Sequence, residues 1–140
     1  MSYIYKRTAN YYETDQMGIV HHSNHIRYFE EARLSFMKSI DCDAARMEQD
    51  GIIIPNVDAY AKYITPVKFQ DEMEIEVKLA KFTGVIMRYE YTVRLAKSGE
   101  TASVGHTEHC FVNDKFKPMS LRRKFPEYFD RLKSNISPEE

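Results

Sequence analysis

From Glu72 to Leu95 the chain runs on a two-residue period, and no other feature limits its fold so strongly. Met73, Ile75, Val77 and Leu79 alternate with Glu72, Glu74, Glu76 and Lys78. After a turn at Phe82-Thr83-Gly84-Val85, the residues Val85, Met87, Tyr89, Tyr91, Val93 and Leu95 alternate with Arg88, Glu90, Thr92 and Arg94. Successive strand side chains point to opposite faces, so each run is a strand with one apolar and one charged side. Lys97-Ser98-Gly99-Glu100 reads as a second hairpin turn, and Thr101 to Asn113 as a third long strand. The apolar face needs a cover; the charged one is left for solvent or a partner.

A helix supplies the cover. From about Ser23 the period becomes helical, with Ile26, Phe29, Arg33, Phe36, Met37 and Ile40 on one face and Ala32 beside them. Ser23 or Asn24 is the expected N-cap. About 17 residues make a helix of about 25 Å, whereas strands of about ten residues span about 33 Å. Upstream, Ile4 to Tyr12 reads as a strand, followed by a connection built around Asp15 and Gly18. Downstream come a short helical segment from Asp43 to Gln49, a strand from Val57 to Ile64 and a final helix from about Pro126 to Asn135. The expected order is one strand, one long helix, then an antiparallel meander of three or four strands. That is an α+β fold, a curved antiparallel sheet wrapped around one central helix.

With 140 residues and 43% hydrophobic content, the chain can build one core, so residues 1–140 are expected to form one domain. A formal charge of −1 offers no basic field for nucleic acid, and 13% aromatic content argues against disorder. No apolar run approaches about 18 residues and the polar start has no signal-peptide apolar region, so no membrane insertion and a cytoplasmic location are expected. Cys42 and Cys110 fit that compartment as free thiols.

The densest polar cluster runs from Tyr11 through Glu13, Asp15, Gly18, His21 and His22 to His25, just before the long helix. Helix N-termini carry partial positive charge and free N–H donors, which suit a developing oxyanion. A carboxylate beside them can act as base or nucleophile, yet an Asp before a helix is commonly just a cap or turn residue. These residues alone leave both readings open. One carboxylate and three histidines this close cannot all converge on a metal without special geometry. His106 and His109 fall on opposite faces of their strand and are expected at the surface or an interface, while the strand tyrosines and Met87 are expected in the core.

Tyr11-(three residues)-Asp15-x-x-Gly18-x-Val20-x-His22-x-x-His25-(two residues)-Tyr28-Phe29-Glu30-x-Ala32-Arg33 resembles the hot-dog-fold acyl-CoA thioesterases. Within them it is similar to the branch holding the Tol–Pal-associated thioesterases and 4-hydroxybenzoyl-CoA thioesterase. The order of elements agrees from about Ile4 to Leu121. Met17 stands where many relatives carry a small residue, and His25 where they carry Tyr.

The resemblance implies a hydrolase that splits acyl-CoA into free acid and CoA. Asp15 matches the catalytic carboxylate, which attacks the thioester carbonyl or activates water. His22 matches the position whose backbone N–H polarises that carbonyl, and Tyr11 belongs with it in the catalytic set. Gly18, His25, Thr83, Gly84, Arg88 and Arg122 are the expected substrate contacts. Basic groups are needed near the CoA phosphates, and Lys62, Lys117 and Arg123 join Arg88 and Arg122 as candidates. Glu30 and Arg33 are expected to pair and orient the helix. No metal and no cofactor is implied, since coenzyme A belongs to the substrate. Active sites shared between subunits imply a homo-oligomer, a dimer or a dimer of dimers. Two alternatives remain: a thioesterase for acyl-carrier-protein thioesters, and a non-catalytic acyl-CoA-binding module. A hydratase of the same fold carries an Asp-x-(Asn)-x-x-His pattern that this chain lacks.

Overall fold

The two alternating runs pair with each other and set the register of the rest. The structure is a computed structural model that describes residues 3–138. The strands are β1 (Tyr3–Thr8), β2 (Asn56–Tyr63), β3 (Glu72–Phe82), β4 (Ile86–Leu95) and β5 (Thr101–Cys110). The helices are α1 (His22–Ser39), α2 (Ala44–Gln49), α3 (Leu121–Lys124) and α4 (Pro126–Lys133). β3 pairs antiparallel with β4 from Met73 opposite Leu95 to Phe82 opposite Met87, and β4 pairs in turn with β5. Sheet order is β1-β3-β4-β5-β2, so the meander has three strands and β2 lies at the far edge beside β5. β2 suits an edge because it lacks a buried alternating face: Val57 and Tyr60 are 58% and 49% exposed.

α1 lies across the apolar face of the sheet. Tyr28, Phe29, Ala32 and Met37 are fully buried there, and Phe29 stacks on Tyr91 of β4 with ring centroids 4.5 Å apart. Phe29 and Met37 each contribute about 1.5–3 kcal/mol by leaving water. Gly105 makes this close approach possible: a Cβ there would collide with the Tyr60 carbonyl oxygen and sit 2.6 Å from the Phe29 ring. The charged face of β3 and β4 is partly or fully exposed, as its alternation requires.

Several boundaries differ from the sequence reading. The first strand ends at Thr8 instead of Tyr12, because Ala9 enters the core and Asn10 opens a 3-10 turn over Tyr11–Glu13. The α1 N-cap is His21, not Ser23 or Asn24; its Nδ1 accepts the Ser23 N–H. Ser23 and Asn24 lie within the first turn of α1 instead, where the Asn24 amide nitrogen donates to the Glu13 carbonyl oxygen at 2.9 Å. His109 is fully buried, not at the surface or an interface, because the odd-numbered positions of β5 face α1. Its neighbour His106 is partly exposed and stacks on Tyr60. Both cysteines are free thiols, Cys42 buried and Cys110 partly so. Among the described residues no helix is long and apolar enough to cross a membrane.

Candidate active site

The loop between the 3-10 turn and α1 is held from both sides. Glu13 is buried and receives Arg7 Nη2 at 2.6 Å, the Asn10 N–H at 2.8 Å and the Tyr28 hydroxyl at 2.8 Å. Burial raises its carboxyl pKa, but the hydrogen bonds from Arg7, Asn10 and Tyr28 outweigh that and leave it below the usual carboxylate range. Arg7 also reaches Glu31 on α1 at 2.9 Å, tying β1, the loop and the helix together. The Glu13 backbone oxygen accepts both the His21 N–H and the Asn24 amide, which fixes where the helix begins. No motif in the sequence marks Arg7 or Glu13 for this task, since their partners lie on three separate elements.

Asp15 sits on a tight loop closed by hydrogen bonds from its own N–H to Ile19 O and from Gly18 N–H to its carbonyl. Gly18 takes φ +79°, where an L side chain is strained, so its visible role is to turn this loop. The Asp15 carboxylate accepts the Met17 N–H at 2.9 Å and is half-buried. A cleft of about 260 Å³ opens beside it. Asp15, His22 and His25 line it, with Met17, Ile19 and Val20 on one wall and Tyr63 to Val67 on the other. The His22 N–H, at the start of α1, has no acceptor among the described residues, while the Tyr63 hydroxyl donates to the His22 carbonyl at 3.1 Å. A free N–H at a helix start beside a carboxylate can polarise a carbonyl that the carboxylate or a water attacks.

His25 completes the inner end. Its Nδ1 lies 2.7 Å from the Ser103 hydroxyl of β5, and burial depresses the imidazole to about 4, with His22 adding to the effect. Ser103 carries no signal in the sequence; only the β5 register brings it beneath α1.

The other expected residues lie elsewhere. Tyr11 is exposed at the outer side of the loop, its ring edge-on to Phe69, and does not line the cleft. Thr83, Gly84 and Arg122 come together at the β3–β4 turn: the Leu121 N–H donates to Gly84 O, and Arg122 lies over the Phe129 ring. Arg88 is on the charged sheet face, 3.9 Å from Glu90. That turn abuts the Cys110 end of β5, whereas the Asp15 cleft abuts the Ser103 end, about 23 Å away along the strand. Lys62, Lys117 and Arg123 are exposed outside the cleft. Glu30 and Arg33 do pair, at 3.7 Å, with Arg33 buried and Glu30 open to solvent.

Comparison with known proteins joins fold and site. The chain is 31% identical to a solved structure titled a DHNA-CoA thioesterase from Staphylococcus aureus, covering 95% of this chain and 89% of that one at a TM-score of 0.91. A solved protein from Aquifex aeolicus shares 33% identity over 90% of this chain and 98% of its own, with a TM-score of 0.82. The Haemophilus influenzae protein named acyl-CoA thioesterase YbgC is 25% identical across 88% of this chain and 91% of its length. Residues 10–131, a span that holds the cleft and the whole meander, match the sequence model of the thioesterase-like superfamily. The architecture is the hot-dog fold, and the chain belongs to the thioesterase-like superfamily.

Proposed function

We propose that this protein hydrolyses acyl-CoA thioesters, with Asp15 as nucleophile or general base and the His22 N–H polarising the carbonyl. One observation carries the reading: a half-buried carboxylate and an unpartnered helix-start N–H line the same apolar-walled cleft. Water adds across the C–S bond, the acyl group leaves as a carboxylic acid and CoA leaves as a thiol. Losing one donor of the His22 kind lowers kcat by about 10²–10³ in comparable sites. The thioesterase names of similar proteins support the same class of substrate. Coenzyme A enters only as part of that substrate.

Substrate contacts at Thr83, Gly84, Arg88 and Arg122 are proposed to come from a second copy of the chain. β2 is an edge strand with Val57, Tyr60 and Tyr63 exposed, a surface that invites strand pairing. Antiparallel pairing of β2 with its own copy sets the Asn56 end of one chain beside the Tyr63 end of the other. Asn56 adjoins His109, near the β3–β4 turn, and Tyr63 adjoins Ser103, near the Asp15 cleft. The turn cluster of one subunit thereby meets the cleft edge of its partner, and the basic side chain of Arg122 can approach the CoA phosphates.

The test is a thiol-release assay over short, long, branched and aromatic acyl-CoAs, with acyl-carrier-protein thioesters as a second arm. Turnover by the native protein and its loss in Asp15→Asn are expected. Hydrolysis that survives Asp15→Asn at the native rate would overturn the catalytic assignment.

A further inference from the structure

The inner end of the cleft has a polarity that Ser103 sets. His25 follows His22 by three residues on α1, on the same face and about 4.5 Å further along the axis. It is 4% exposed while His22 is open, so it stands deeper in the same cleft. Its ring is flanked by the Tyr63 ring at 5.0 Å and the Tyr28 ring at 6.0 Å.

Two proton arrangements fit the 2.7 Å contact between His25 Nδ1 and Ser103 Oγ. If Nδ1 carries the proton and donates, the Ser103 O–H needs a different acceptor. Ser103 is fully buried and its hydroxyl has no other partner among the described residues, so that arrangement strands a donor. If the Ser103 hydroxyl donates to Nδ1, both atoms of the contact are satisfied and the imidazole proton sits on Nε2. Nε2 has no partner among the described residues, yet the buried unpartnered side-chain atoms there are Arg33 Nε and His109 Nδ1. Nε2 therefore is not fully enclosed, and the cleft is the opening that His25 lines.

We propose that Ser103 is a positioning residue that locks His25 as the Nε2–H tautomer, and that His25 thereby selects acyl groups carrying a neutral oxygen, a hydroxyl or ketone, a few bonds beyond the thioester carbonyl. The inference rests on the thioesterase reading of the Asp15 cleft. With the carbonyl at the His22 N–H, atoms about 4.5 Å deeper belong to the acyl group. The imidazole is neutral, so it offers a hydrogen bond without a counter-charge, and Ile19, Val20, Ile64 and Val67 make the surroundings unfavourable for a carboxylate. A plain alkyl group leaves the donor unmatched, which is the usual basis of discrimination by a buried polar group.

Two readouts test this. Long-range ¹H–¹⁵N spectra of the histidine-labelled protein, free of substrate, are expected to place the His25 proton on Nε2. Ser103→Ala is expected to release the ring into a tautomer mixture, and Ser103→Thr to retain Nε2–H. In kinetics, the paired substrates are 3-hydroxybutyryl-CoA against butyryl-CoA and 2-hydroxybenzoyl-CoA against benzoyl-CoA. The native protein is expected to favour at least one oxygenated member by about tenfold or more in kcat/KM. That ratio is expected to fall toward one in His25→Phe and Ser103→Ala, and to return in Ser103→Thr. A native Nδ1–H tautomer, a native ratio near one in both pairs, or a ratio untouched by His25→Phe overturns the proposal. Hydrolysis of none of the four would overturn the specificity claim, while the wider thioester panel decides the thioesterase reading and the spectra decide what Ser103 does.

Discussion

His25 and His109 stand in nearly the same chemical setting and do different things. Both are buried between α1 and the sheet, and both hold one ring nitrogen against a β5 hydroxyl: Ser103 Oγ at 2.7 Å for His25, Thr107 Oγ1 at 2.8 Å for His109. Burial lowers both, to about 4 and about 3 respectively, with Arg33 adding to the effect at His109. The difference is the second nitrogen. That of His25 is not fully enclosed, at the cleft the residue lines, while His109 Nδ1 is enclosed with no partner. At His109 the hydroxyl chain continues from Thr107 to Tyr91 at 2.6 Å, deep in the core. Similar burial and similar partners leave one histidine at the wall of the Asp15 cleft and the other enclosed, because the cleft opens at the Ser103 end of β5.

The largest expected effect separates those two ends by chemistry. Asp15→Asn, at the open end, is expected to lower kcat by about 10³ or more, measured by thiol release, with the thermal melt and oligomeric state unchanged. The next joins the ends that one chain keeps apart. Replacing Val57 and Tyr60 together with Glu puts like charges opposite each other in a β2–β2 pairing. Sedimentation is expected to show a monomer, and turnover to fall by about 10² as the partner's contacts are lost.

A smaller effect treats the two histidines as alike. Their folded values lie below the ordinary histidine value of 6.5, so the unfolded chain binds protons first on acidification. Their contribution to stability is full above about pH 6.5 and is lost progressively as pH falls toward 4 and then 3. Thermal melting across that window is expected to show a declining Tm, with a shallower decline in His109→Leu. The smallest effect is the sharpest contrast. His109→Leu is expected to leave kcat/KM unchanged and alter stability by about 1 kcal/mol or less, since it removes an unpartnered buried ring nitrogen along with one hydrogen bond. A large loss of turnover in His109→Leu would erase the distinction between the two ends.

Much of this molecule is legible in local pattern. The alternation from Met73 to Leu95 specified two paired strands, and the spacing of Phe29, Ala32, Phe36 and Met37 specified the covering helix. Asp15 and His22 stood out because a carboxylate and a helix start lie close in sequence, and they remain close in space. Ser103 did not stand out. It is the one serine on its strand, and its meaning depends on β5 passing under α1, 78 residues from His25. The Arg7–Glu13 pair was hidden for the same reason, its purpose lying in Tyr28 and Glu31 on another element. His109 was misplaced because alternation says that two residues face opposite sides without saying which side is inside.

The amino-acid order by itself determined the elements, the α+β class and the residues at the head of the helix, since these follow from hydrophobic period and short-range backbone geometry. The tertiary structure alone decided the sheet order that leaves β2 at an edge, the separation of the Thr83–Arg122 cluster from the Asp15 cleft, and which buried histidine lines that cleft. Each of those is a non-local outcome of strand register and helix docking. Period and spacing encode what a residue is next to along the chain; packing decides what stands across from it.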